Sequence, residues 1–118
     1  MFAVSQRRAL ATSARAFEKY IVIARDFPDP DALLRRMAVR DKHLENIKPA
    51  LESKKLIAGG PMFDSHDNGK MTGSCMIVEA ASREEVEKMI TDDIYVKGKV
   101  WESWDIYPWK VVMGKIGQ

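Results

Sequence analysis

Disulfide chemistry is closed to this chain, because it has one cysteine, Cys75. A lone thiol fits a reducing compartment, and its place in an apolar run makes it a small buried hydrophobe rather than a catalytic nucleophile. Histidine is nearly as scarce. His43 and His66 have no cysteine or second histidine at metal-ligand spacing, so no metal site is expected, and His66 belongs to a polar turn. Long apolar runs are missing too, which excludes a helical membrane span. Acid is missing locally: residues 1–17 hold Arg7, Arg8 and Arg15 and no Asp or Glu.

That last absence decides how the charge is read. The formal net charge is +2, yet beyond residue 17 the chain carries 16 basic and 17 acidic residues, a net of −1. The excess therefore belongs to the leader. The remainder has no basic block interleaved with aromatics, so a nucleic-acid partner is not expected. An Arg-, Ser- and Ala-rich, acid-free start with an amphipathic distribution of its arginines reads as a mitochondrial transit peptide, the alternative being a mobile arm on a cytoplasmic protein. The domain then spans residues 18–118. Its length allows one core, and a larger pocket calls for a second subunit.

What is present is a clear alternation of elements. Tyr20 to Ala24 is an apolar strand; Asp29 and Pro30 cap and open a helix running to about Ser53. Pro49 predicts a kink or restart in it. Lys55 to Phe63 and Gly73 to Ala80 are strands joined by a hairpin containing Asn68-Gly69. Ser82 and Glu85 form a capping box for a second helix. A turn-rich link over residues 92–99 leads to a last strand within 100–112, where Trp101, Ser103, Asp105 and Tyr107 alternate with Glu102, Trp104 and Ile106. The order β-α-β-β-α-β predicts an α+β, ferredoxin-like domain: a four-stranded antiparallel sheet with both helices on one face. The aromatic-bearing open face predicts a homodimer.

The long helix holds the candidate chemistry. Spacing places Leu33, Met37, Leu44, Ile47 and Leu51 on the buried stripe with Arg40 inside it, and Arg36 and His43 along its edge. Arg40 either snorkels to a carboxylate or presents its planar fork to an anionic ligand, beside an imidazole that exchanges a proton near neutral pH. Spacing alone leaves both open. Arg36 has no partner in this pattern and is expected at the solvated edge.

Four segments in order resemble the YciI-like (YCII-related) proteins of the dimeric α/β-barrel superfamily. They are Arg36-Met37-Ala38-Val39-Arg40 through His43-Leu44, Leu56-Ile57-Ala58-Gly59-Gly60-Pro61-Met62, Thr72-Gly73-Ser74, and Asp93-Ile94-Tyr95-Val96 through Gly98. The resemblance implies a dimer with a cleft where His43 and Asp93 form a catalytic pair, with Arg40 and Ser74 nearby. One branch of that family resembles lyases that eliminate chloride from hydroxylated aromatics. The family usually has Asp-Pro-Tyr where this chain has Asp93-Ile94-Tyr95, and Asp92 is a second candidate for the acid. The implied function is a cofactor-independent enzyme of lyase or isomerase type. His43 would be its general acid or base, Asp93 would orient His43, Arg40 would hold a small anionic substrate, and Ser74 would donate to developing negative charge. The alternative is a non-catalytic dimeric module that binds a small anionic metabolite in the same cleft.

Overall fold

The computed structural model describes residues 17–116. The expected basic leader, apart from Phe17, lies outside the described residues. Strand β1 (Glu18–Asp26), helix α1 (Ala32–Glu52), strands β2 (Leu56–Phe63) and β3 (Met71–Ala80), helices α2 (Arg83–Thr91) and α3 (Ile94–Lys97), and strand β4 (Trp101–Trp109) follow in that order. The sheet order is β2-β3-β1-β4, and every neighbouring pair is antiparallel. This is the expected α+β arrangement. The two central strands alternate, as a sheet with one covered face requires: Tyr20, Val22 and Ala24 are buried beneath the helices with Val78 and Ile106. Ile21, Ile23, Cys75 and Ile77 lie on the opposite face and are half-buried. Cys75 is therefore not the buried hydrophobe expected of it, because its parity on β3 places it on the face that no helix covers.

Local chemistry explains most element boundaries. At α2 the Ser82 hydroxyl accepts from the Glu85 amide (3.2 Å) while the Glu85 carboxylate accepts from the Ala81 amide (3.0 Å), so both partners cap the helix start. Asp29 does not cap α1. The N-cap is Asp31, which makes no side-chain cap bond, and Asp29 instead forms a bidentate pair with Arg35 (2.8 Å on both arms). Nor does Pro49 break the helix. It removes the bond to the carbonyl of Glu45, an exposed residue whose oxygen water can satisfy, and the last turn closes through Ser53 N–H to Pro49 O (3.0 Å).

The buried stripe of α1 is the largest departure from expectation. Ala32, Arg36 and His43 are its buried residues, with Val39, Ile47 and Ala50 packed partly against the core. Leu33, Met37, Leu44 and Leu51 are 37–51% exposed. The helix is rotated by about one residue from the phase of its leucines. A charged side chain occupies the buried position because it finds a charged partner on the sheet, as described next.

Two backbone features shape the site. A β-carbon on Gly73 would lie 2.2 Å from the Ala24 carbonyl oxygen, so only glycine allows β1 and β3 to approach there. On β4 the pairing passes from Ala24↔Trp104 to Asp26↔Trp101, three residues against two. This bulge carries an extra residue and changes the face that the strand presents. Trp101 therefore lies on the helix side, 2% exposed, rather than sharing a face with Ser103, Asp105 and Tyr107 as strict alternation predicts.

Candidate active site

The site lies between α1 and the sheet. Arg36, His43 and Ser74 are buried polar residues, and all three line one cavity of about 80 Å³ with Arg40, Tyr95 and Trp101. The edge of the cavity is the Gly59-Gly60-Pro61 stretch of β2. A second, apolar cavity of about 240 Å³ lies between the helices and the sheet. It shares Ile47, Met76 and Trp101 with the first and has Asp93 in its wall.

The His43 imidazole is positioned from two sides. Its Nδ1 lies 2.8 Å from Asp93 Oδ1, and the same oxygen accepts the Tyr95 amide at 2.9 Å as the N-cap of α3. The link expected over residues 92–99 therefore contains a turn of helix that holds the carboxylate. An ionised Asp93 only accepts, so the proton of this bond belongs to Nδ1 and the lone pair of neutral His43 to Nε2. No hydrogen bond to Nε2 is present among the described residues. The Tyr95 ring stacks on the imidazole at 3.8 Å with planes 7° apart, and Trp101 meets both rings edge-on. Asp92 is elsewhere, paired with Lys88 at 2.7 Å.

Arg36 was expected in solvent and is 3% exposed. Its Nε and Nη2 clamp Asp26 at 2.9 and 3.1 Å, and Nη2 also donates to Gly73 O (2.9 Å) and Ser74 Oγ (2.8 Å). Its Cζ lies 4.9 Å from the Tyr95 ring centre. The stacked imidazole covers one face of that ring, so the guanidinium is over the other. Arg36 and His43, two turns apart on α1, thus bracket Tyr95. Burial pushes the Tyr95 phenol above its ordinary range, against the opposing pull of the Arg36 and Arg40 charges. Arg40 is half-buried, lines the cavity, and forms no ion pair among the described residues.

Of the four residues expected at the site, His43 and Asp93 are in hydrogen-bond contact, and Arg40 and Ser74 line the cavity with His43. Asp26, Arg36, Tyr95 and Trp101 were not anticipated as site residues. One signal for the first was available: an aspartate lies two residues beyond the apolar run Tyr20 to Ala24, just before Phe27-Pro28.

The model of the YCII-related domain matches residues 19–110. The chain belongs to that family. It is 34% identical over 97 residues to Protein YciI of Escherichia coli, covering 79% of this chain and 97% of that one. It is 39% identical over 67 residues to derivative of benzaldehyde biosynthesis cluster protein C of Emericella nidulans, covering 52% of this chain and 68% of its relative. Among solved structures it is similar to the 5-chloro-2-hydroxyhydroquinone dehydrochlorinase TftG of Burkholderia phenoliruptrix in complex with 2,5-dihydroxybenzoquinone. That match has 26% identity and a TM-score of 0.68, over 78% of this chain and 93% of TftG.

Proposed function

We propose that this YCII-related chain is a small enzyme of lyase or isomerase type that needs no cofactor and acts on a small anionic substrate, with hydroxylated aromatics as the first class to test. The observation that carries the reading is the 2.8 Å contact between Asp93 and the Nδ1 of His43, whose ring lines the cavity beside Arg40 and Ser74. A carboxylate that fixes the tautomer leaves Nε2 as the proton acceptor. In the proposed cycle Nε2 takes a proton from the substrate as the leaving group departs, and the Asp93 carboxylate stabilises the imidazolium. Arg40 supplies a positive charge that forms no ion pair among the described residues, suited to a carboxylate or phenolate. Ser74 donates to the oxygen on which negative charge builds. TftG, a dehydrochlorinase similar over most of its length, supports the choice of reaction class.

The same proposal includes a homodimer formed through the open sheet face, where the register sets Ile21 between Ile77 and Tyr107, with Ile23 and Met62 on the same face. The test is incubation of the purified chain with a mitochondrial metabolite extract and with 5-chloro-2-hydroxyhydroquinone, followed by mass spectrometry. Depletion of a compound with a new product is expected, reduced about 100-fold or more in His43→Ala. Equal depletion by His43→Ala removes the imidazole from the chemistry, and recovery of every bound compound unchanged makes the chain a binding module.

A further inference from the structure

Ser74 is the meeting point of two donors that cannot accept. Arg36 Nη2 reaches its Oγ at 2.8 Å and Trp101 Nε1 reaches it at 3.1 Å. Guanidinium and indole nitrogens have hydrogens to give and no lone pair to offer. Both lone pairs of the hydroxyl are therefore occupied, and its own proton has to go elsewhere. No acceptor among the described residues takes it, although Ser74 is 94% buried, its exposure being 6%. The side chain lines the cavity, so the ligand is the group left to receive the proton.

Each donor is itself fixed. Asp26 holds Arg36 by two bonds in an environment where both side chains are 95% or more buried, at 5% and 3% exposure. The carboxylate also cancels the buried guanidinium charge, which could not otherwise be accommodated there. The Gly73 carbonyl takes a further share of Nη2, and Gly73 is the residue that lets β1 and β3 close on this point. Trp101 reaches Ser74 only because the β4 bulge turns its indole to the helix side.

We propose that Asp26, Arg36 and Trp101 are positioning residues that lock Ser74 as a one-way hydrogen-bond donor, so that this corner of the cavity accepts only an acceptor oxygen: a carboxylate, a phenolate or a carbonyl. An ammonium or amide N–H placed there would face the Ser74 proton head-on. The inference deepens the function proposed above for the same cavity, but it concerns recognition and needs no turnover.

The indole proton of Trp101 gives a direct readout, since its hydrogen bond ends on the atom in question. In the full chain labelled with nitrogen-15, titration with acetate and benzoate is expected to shift the Trp101 Nε1–H resonance, and methylammonium is expected to leave it in place. Ser74→Ala is expected to weaken benzoate binding about tenfold or more, followed through the backbone amides of Gly59 and Gly60. Ser74→Thr, which keeps the hydroxyl, is expected to restore it. Asp26→Asn is expected to weaken benzoate binding and move the Trp101 resonance in the ligand-free chain. The anion response of the native chain is expected whether or not any compound is turned over, so failure of the catalytic reading is separable from failure of this one. An equal response to methylammonium, no response to either anion, or unchanged benzoate affinity in Ser74→Ala would overturn the proposal.

Discussion

Asp26 and Arg36 make a buried pair whose two roles, holding the fold and shaping the cavity, separate by substitution. Removing one partner leaves the other charge stranded, a change that typically costs about 3–5 kcal/mol. Replacing both by apolar side chains of similar size removes the stranded charge, and such exchanges are often neutral or stabilising. Asp26→Asn alone is therefore expected to lower the melting temperature sharply. The double variant Asp26→Leu with Arg36→Met is expected to recover most of that loss and still bind benzoate poorly. Thermal denaturation followed by circular dichroism, with the benzoate titration on the same samples, checks both halves. A double variant no more stable than Asp26→Asn would show that the pair's surroundings, rather than its charges, set the cost. This pair also marks what the sequence could not disclose. His43 and Asp93 were legible because ordered motifs bring them together by resemblance. Arg36 was assigned to solvent because helical spacing sees only its own helix, and the carboxylate that draws it inward lies on β1.

At the scale of elements, strands were easier to read than helix faces. Apolar runs bounded by turn residues placed all four strands, and the capping box placed α2. The face of α1 was misplaced because leucines were counted as the buried stripe, while the helix buries arginine and histidine against partners on the sheet and at the N-cap of α3. α3 escaped notice because one turn of helix has no periodicity to detect. The start of α1 gives a pH signature. Arg35 beside Asp29 holds its carboxyl down to about 2, below the ordinary value of about 4 for an unfolded aspartate. The folded value is the lower one, so this pair's stabilisation is present above about pH 4 and is lost as the pH falls toward 2. The stability difference between the native chain and Asp29→Asn is expected to be largest above pH 4, to close by pH 2, and to shrink in 1 M salt because the pair is exposed. Melting curves across pH 2–6 check it; a difference that persists unchanged at pH 2 would mean that Asp29 acts through something other than its charge.

For the whole molecule, the sheet has one face under helices and one face of half-buried isoleucines. A single chain of this size leaves that second face wet. A light-scattering mass near twice the 13.4 kDa of one chain is expected at micromolar concentration, with Ile77→Lys shifting it toward a single chain. A native mass of one chain would remove the dimer from the proposed function. Because Ile77 lies on the opposite face from Ser74, its charge is not expected to alter the Trp101 resonance except through assembly. The fold class was legible at this scale from element order alone, whereas assembly depends on a surface that the order of elements does not describe.

The bulge in β4 acts as a change of phase within one strand. Before it, Trp101 belongs to the cavity; after it, Tyr107 belongs to the opposite surface, and the shared backbone gives the two halves separate audiences. Without the extra residue, odd-numbered positions from 101 onward would share one side, and either the cavity would lose its indole or the outer face would lose its tyrosine. One inserted residue thus allows the proposed recognition of a small molecule and the proposed recognition of a second chain to be tuned independently along nine consecutive positions.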